Sequence, residues 1–317
     1  MKYFLTGANG FVGSYLAKEL LSRGHQVKAL RRPSSDMSMV SGLDIEWVEG
    51  DLSDPQGLVG HLRGSEAIVH AAAMVSFSPS DSFELYQSNV LGTENMVNAA
   101  LELKIEPFGF VSSVAALGRG ESQNLDENSK WVDSSENSFY AQTKFKAELE
   151  VWRGAAEGLR VSIVNPSIVL GRGDFSRSSL KLLDYVRKGN RFYTQGFINY
   201  VDVRDVASAL VGMMEQNLGS RRYVLNAGTT EYKVFFEQVA QRLGVKAPDK
   251  RLSPFMAEIG WRLAGWYAFF TGSKPLITKE TARSSMHRFT YSAKKICSET
   301  GFEFRQLEQT LDWCCKP

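Results

Sequence analysis

The chain has 317 residues, 43% hydrophobic and 23% charged, with 37 Lys and Arg against 35 Asp and Glu. That composition suits two globular domains, or one large α/β unit with an appendage, and a formal charge of +2 is too balanced for a nucleic-acid or acidic-membrane partner. Cys297, Cys314 and Cys315 crowd the C-terminus and make neither a disulfide framework nor a CxxC site. A reducing, cytoplasmic setting and no bound metal are therefore expected, and no apolar run approaches the roughly 18 residues of a membrane span.

Lys2–Thr6 reads as a strand, so no signal peptide is expected ahead of it. Phe11–Arg23 reads as a helix ending at Gly24. Gln26–Leu30, Ile45–Glu49, Ala67–Ala72, Phe108–Ser112 and Val161–Val164 read as further strands, with helical patterns over Phe83–Lys104 and Tyr140–Glu157. This strand–helix alternation predicts an α/β fold with a doubly wound parallel sheet. After residue 170 the rhythm changes. A Gly/Arg/Ser-rich stretch, Gly171–Ser179, precedes helical patterns at Leu180–Lys188 and Asp205–Gln216, and from Tyr232 the chain is mostly helical, broken by prolines 248, 254 and 275. The expected division is a larger domain over 1–170, to which 199–225 return, and a smaller, mostly helical lobe from 171–198 and 226–317. Within the lobe, Phe255–Thr271 carries Trp261, Trp266 and Tyr267. It suits a pocket wall or a membrane-surface helix, although a core-facing helix is the plainer reading and Arg262 speaks against spanning.

Between the first strand and first helix lies Thr6-Gly7-Ala8-Asn9-Gly10-Phe11-Val12-Gly13. In this setting Gly7 permits a sharp turn, Gly10 leaves room for a pyrophosphate and Gly13 lets helix press on strand. The loop from Gly7 through Asn9, Gly10, Phe11 and Val12 to Gly13 is thus a dinucleotide cradle at a helix N-terminus, and the larger domain is expected to be Rossmann-type. Arg31, eighteen residues past Gly13, stands where NAD-binding sites usually place an acid. With Arg32 it suits a 2′-phosphate, so NADP(H) is expected over NAD(H); a solvated surface pair is the alternative. Asp51 and Leu52 suit an adenine edge and face, though alone they are no better than a loop.

Ser112 and Ser113 close an apolar strand, and Tyr140-Ala141-Gln142-Thr143-Lys144 opens a helix. Residues four apart share a helix face. A phenol with pKa ~10 beside an ammonium at about 4 Å would gain up to ~4 kcal/mol for its anion at an effective dielectric near 20. That corresponds to roughly three pKa units. The expectation is a phenol brought toward the working pH, where general acid–base chemistry is most effective.

Taken together, Gly7/Gly10/Gly13, Asp51, His70-Ala71-Ala72, Asn89-Val90-Leu91-Gly92-Thr93, Ser113, Tyr140 with Lys144, Asn165-Pro166-Ser167 and Tyr200–Ala207 resemble an extended short-chain dehydrogenase/reductase. The resemblance spans nearly the whole chain. It implies that Tyr140 exchanges a proton with the substrate oxygen, that Lys144 holds the nicotinamide ribose and lowers the Tyr140 pKa, and that Ser113 bonds the same substrate oxygen. It places Asn89 in structural support or proton relay and His70 to Ala73 along the cofactor cleft. Pro166 and Ser167 would lie beside the carboxamide, and Arg204 and Asp205 would anchor the lobe. A homodimer through the helices near Phe83 and Tyr140 is also implied.

Val114-Ala115 after Ser113 lack the acids of sugar dehydratases, and Arg31 argues against a nucleotide-sugar epimerase with retained NAD. The Ala29–Ser35 and Thr271–Thr278 segments, Tyr291–Lys295 and Gly301-Phe302 resemble the dihydroflavonol-reductase-like and 3β-hydroxysteroid-dehydrogenase-like branch. The expected activity is NADPH-dependent reduction of a ketone or aldehyde on an apolar or aromatic small molecule, with Met74, Val75 and Phe77 as one pocket wall. Two alternatives stay open. One is a 4-epimerase using Arg172, Arg177, Arg221 and Arg222 to hold a diphosphate, and the other is a non-catalytic NADP sensor.

Overall fold

The computed structural model describes residues 1–118, 123–134, 137–174, 178–253 and 288–315, with Met256 and Met286. Its centre is a seven-stranded sheet. In chain order the strands are β1 (Lys2–Thr6), β2 (Gln26–Arg31), β3 (Ile45–Glu49), β4 (Ala67–His70) and β5 (Phe108–Val111), then, after the short β6 (Asn124–Leu125), β7 (Val161–Pro166). β8 (Ile168–Leu170), β9 (Phe192–Tyr193) and β10 (Phe197–Asp202) lie outside this sheet, which β11 (Arg221–Leu225) completes. The spatial order is β3-β2-β1-β4-β5-β7-β11, with every pairing parallel. This is the doubly wound order, extended at one edge, and the strand order reverses between β1 and β4. Ligands in such sheets bind at the carboxyl ends of the strands around that point.

The strands read as apolar runs because both faces are covered. On one face α1 (Phe11–Ser22) and α7 (Val203–Glu215) pack together, burying Leu16, Leu20, Leu210 and Met214 against Tyr3, Leu5 and Val69. On the other, α2 (Pro55–Leu62), α4 (Gly92–Leu103) and α5 (Phe139–Ala156) bury Leu58, Met96, Val97 and Val151 against Phe4, Ile68, Phe108 and Phe110. The alternation of Tyr3 and Leu5 against Phe4 is the two-residue period of a strand sorted between two helical layers.

Several boundaries differ from the sequence pattern. β4 ends at His70 and β5 at Val111, because the following residues leave the ladder to open the cleft. The Phe83–Lys104 pattern is realised as α3 (Ser82–Tyr86), a π-helical turn over Gln87–Leu91, and α4. A widened turn of this kind re-aims side chains, and apolar spacing does not reveal it.

The remaining described strands pair outside the central sheet. β8, β10 and β12 (Gly228–Glu231) make a three-stranded sheet, and β9 pairs with β13 (Lys250–Arg251). β6 pairs with β14 (Thr290–Tyr291). α6 (Lys181–Arg187), α8 (Tyr232–Leu243) and the helix Leu307–Cys314 bury Leu183, Phe235 and Leu311 together. Helix Lys294–Thr300 instead packs by β11. Two buried acids tie the C-terminal segment to α7. Asp202 caps α7 through the Arg204 N–H (2.8 Å) and accepts from the Arg204 guanidinium and from Thr310 Oγ1 (2.9 Å), while Asp205 accepts from the Arg305 N–H (2.8 Å) and its guanidinium. Phe255–Thr271, Met256 apart, lies outside the described residues.

Candidate active site and cofactor cleft

The turn after β1 is built for glycine at two points. Gly7 has φ +72°, and a Cβ there would stand 2.7 Å from Ala72 N. A Cβ on Gly13 would stand 1.9 Å from the Gly7 carbonyl oxygen, so α1 presses on the turn as closely as backbone permits. α1 follows Gly10 with no side chain capping its first N–H groups. Those donors and the helix dipole favour an anion, so the loop fits a pyrophosphate. The Phe11 ring lies close to Gly171 and Gly173 and edge-on to Tyr15; its side chain joins the lobe.

Behind the loop, His70 is fully buried between two threonines. The Thr93 hydroxyl donates to Asn89 O (2.6 Å), so His70 Nε2, at 3.1 Å, must donate to Thr93 Oγ1. His70 Nδ1 then accepts from the Thr6 hydroxyl (2.6 Å), whose oxygen accepts from Ala72 N–H (3.2 Å). Hydrogen-bond accounting thus assigns the tautomer. Burial, with the Lys144 charge second, pushes the His70 pKa down to about 3. His70 therefore braces the cleft wall from beneath rather than lining it.

Asn89, in the π-turn, clamps the segment after β4. Its Oδ1 accepts from Met74 N–H (2.7 Å), and its Nδ2 donates to Met74 O (2.9 Å) and Thr143 Oγ1 (3.1 Å). Thr143 Oγ1 in turn donates to Tyr140 O (2.8 Å). A continuous buried chain of polar contacts thus runs from the glycine turn to the first turn of α5, whose N-cap is Ser138.

At the carboxyl end of β5, the Ser113 side chain lies beside the Tyr140 hydroxyl and favours its anion, whereas Ser112 Oγ donates to Glu148 Oε2 (2.6 Å). Lys144 is buried, its Nζ donating to Val111 O (2.9 Å) and lying 4.6 Å from the centre of the Phe110 ring. Phe77 meets the Tyr140 ring edge-on at 5.8 Å. The expected lowering of the Tyr140 pKa is overturned. Although part of Tyr140 is accessible, burial of its hydroxyl pushes the pKa up to about 12, against the influence of Ser113. The reason is geometric: the ammonium is turned into the Val111 carbonyl, so desolvation of the phenolate dominates. Burial lowers Lys144 itself to about 8, opposed by Glu148.

Residues 3–228 match the model of the NAD-dependent epimerase/dehydratase family. The chain belongs to that family. It is an NAD(P)-dependent enzyme of the extended short-chain dehydrogenase/reductase type. A Synechocystis protein named putative dihydroflavonol 4-reductase is 31% identical, over 98% of this chain and 92% of its own length. Sterol demethylase protein B of Methylococcus capsulatus is 32% identical over 71% of this chain and 69% of its own. Among solved structures, that of gox2253 superposes with a TM-score of 0.83 at 33% identity, covering 98% of this chain and 96% of the other.

The family's nicotinamide dinucleotide fits the cleft. Besides the uncapped start of α1, Ser167 Oγ beside Pro166 is buried with no partner among the described residues, a donor or acceptor at the end of β7. Ala71 and Ala72 are half-buried and Ala73 is exposed beyond β4. Arg31 is engaged by an acid that the sequence reading had not considered: its guanidinium donates to Glu49 Oε1 (2.5 Å), its register partner on β3, while Nε is buried without a partner. Arg32 is exposed and helps to lower the Asp51 pKa, after two hydrogen bonds from Ser53. Those bonds occupy Asp51 Oδ1 (2.9 and 2.8 Å). Leu52 lies against Gly92, and its carbonyl accepts from Asn95 (2.8 Å).

The basic groups considered for a diphosphate do not gather at Tyr140. Arg172 donates to Trp313 O (2.7 Å), and Arg222 pairs with Glu148 (2.8 Å). Arg221 sits at the first residue of β11, the end of the sheet away from the cleft; Arg177 lies outside the described residues. The sequence reading also missed Glu148, buried one turn beyond Lys144, although its four-residue spacing from Lys144 was visible.

Proposed function

We propose that the chain is an NADPH-dependent reductase of ketones or aldehydes on an apolar or aromatic small molecule. The observation that carries this reading is the gathering of Ser113, Tyr140 and buried Lys144 at the carboxyl end of β5, with the Phe77 ring edge-on to Tyr140. With a pKa raised to about 12, the Tyr140 phenol is protonated at neutral pH, the state that a proton donor needs. Ser113 holds the substrate oxygen as negative charge develops on it, and Tyr140 delivers the proton. Lys144, whose ammonium is held by the Val111 carbonyl, serves the nicotinamide ribose. When bound, the nicotinamide supplies the hydride. Val75 and Phe77, exposed beyond the Asn89 clamp, form an apolar approach that suits a hydrophobic carbonyl compound better than a charged sugar nucleotide. The names of two relatives, a putative dihydroflavonol 4-reductase and a sterol-4-alpha-carboxylate 3-dehydrogenase, agree with a carbonyl or alcohol on a hydrophobic ring system.

The preference for NADPH rests on Arg31 and Arg32 beside the adenosine end of the cleft, with Arg31 exchanging Glu49 for a 2′-phosphate. A homodimer through α3, α4 and α5 is supported by the exposed Phe83 (70%) and Leu149 (49%) on α3 and α5. The test is Tyr140→Phe assayed for carbonyl-dependent loss of nicotinamide absorbance alongside NADPH titration. Turnover should fall at least about a hundredfold with the NADPH Kd unchanged. Undiminished turnover, or binding of a UDP-sugar with interconversion of its epimers, would overturn the proposal.

A further inference from the structure

We infer that Glu148 is a positioning residue for Ser113 and Lys144, its carboxylate holding the ammonium charged while Arg222 sets how much of that negative charge Lys144 feels. The inference rests on the reductase reading for its kinetic consequence, but its geometry stands alone. Lys144 and Glu148 lie one turn apart on α5, both buried. Glu148 Oε2 accepts from Ser112 Oγ (2.6 Å) and Asn165 Nδ2 (2.8 Å), and Oε1 accepts from Arg222 (2.8 Å). The same Asn165 amide donates to Ser113 O (3.0 Å). One carboxylate thus ties α5 to the ends of β5 and β7 and to β11, and through Asn165 it fixes the backbone that carries Ser113.

Packing alone does not call for this arrangement. A buried ion pair adds little net stability over apolar residues of similar volume, whereas removing one member is costly. The surroundings of Lys144 explain the need. Around the ammonium are the Val111 carbonyl and Phe110 ring from β5 and the neutral His70 imidazole from β4, with Tyr140 one turn earlier on its own helix. Among the described residues Glu148, one turn further on, is the acid that favours its charged form, and from β11 the Arg222 guanidinium counters that anion. Removing either charge should therefore shift Lys144 in opposite senses: loss of the carboxylate lets the proton leave at lower pH, and loss of the guanidinium retains it to higher pH.

The experiment is an NMR titration of the full chain labelled with [13Cε]-lysine, the Lys144 signal being assigned from Lys144→Met. Glu148→Gln should lower its midpoint by about one pH unit, Arg222→Gln should raise it, and Glu148→Asp should restore most of the wild-type value. The basic limb of the kcat profile should move in the same directions. Midpoints that stay put, or move the same way in both neutralised variants, would overturn the inference even if turnover falls. Opposed shifts without any carbonyl reduction would uphold Glu148 and sink the reductase reading instead. Should Glu148→Gln not fold, Arg222→Gln decides the matter, since its side chain lies nearer the surface.

Discussion

His70 offers a quantitative test of the wall behind the cofactor loop. The imidazole is neutral because Nδ1 must accept from Thr6 while Nε2 donates to Thr93, and burial holds its folded pKa at about 3. An unfolded histidine titrates near 6.5. The folded state therefore binds fewer protons than the unfolded state between these values. The stabilisation is fully present above about pH 6.5 and is lost as pH falls toward 3. At pH 5.5 the loss from this one group is about 1.4 kcal/mol, which follows from a tenfold preference of the unfolded imidazole for its proton. His70→Gln keeps a donor near Thr93 but abandons the Thr6 hydroxyl and the stacking on Phe110 at 5.7 Å. At pH 7.5 it should be less stable by about 1–3 kcal/mol. Urea unfolding of both proteins at pH 7.5, 6.5 and 5.5 should show that gap shrinking by about 1.4 kcal/mol. Two stability curves that run parallel over this range would refute a buried, neutral His70.

Three further outcomes follow from particular contacts. Gly13→Ala drives a Cβ into the Gly7 carbonyl; it should cost about 1–3 kcal/mol or more in thermal unfolding and abolish tight NADPH binding by fluorescence titration. Arg31→Ala should weaken NADPH about tenfold or more with NADH unaffected, whereas Glu49→Gln, which frees Arg31, should tighten NADPH; equal losses for both coenzymes would place the 2′-phosphate elsewhere. Leu149→Glu puts a charge on the exposed face of α5, and sedimentation should report a dimer for the parent chain and a monomer for the variant if that face is the subunit contact.

Much of the architecture is legible in one dimension because its causes are local. β1, β3 and the body of α5 follow from apolar runs and helical periodicity, and the glycine turn follows from close backbone approaches that allow no Cβ. What spacing misses is the environment of each polar group. Tyr140 and Lys144 are four residues apart in any helix, and a charge pair at that spacing suggests a phenol made more acidic. In the folded protein the Val111 carbonyl, from another strand, draws the ammonium away, and burial leaves the phenol a proton donor. Arg31 at the end of β2 is read from the sequence as a partner for phosphate, but its pairing with Glu49 depends on β2 and β3 lying side by side in register. Glu148 looks like an ordinary helix acid until β5, β7 and β11 bring Ser112, Asn165 and Arg222 to its two oxygens. Sequence alone thus determined the strand–helix alternation of the larger domain, the sheet class and the identity of the chemical groups, since these depend on neighbours along the chain. Tertiary structure decided their protonation and partners, because desolvation and Coulomb forces are set by residues far apart in sequence and adjacent only once the sheet has formed.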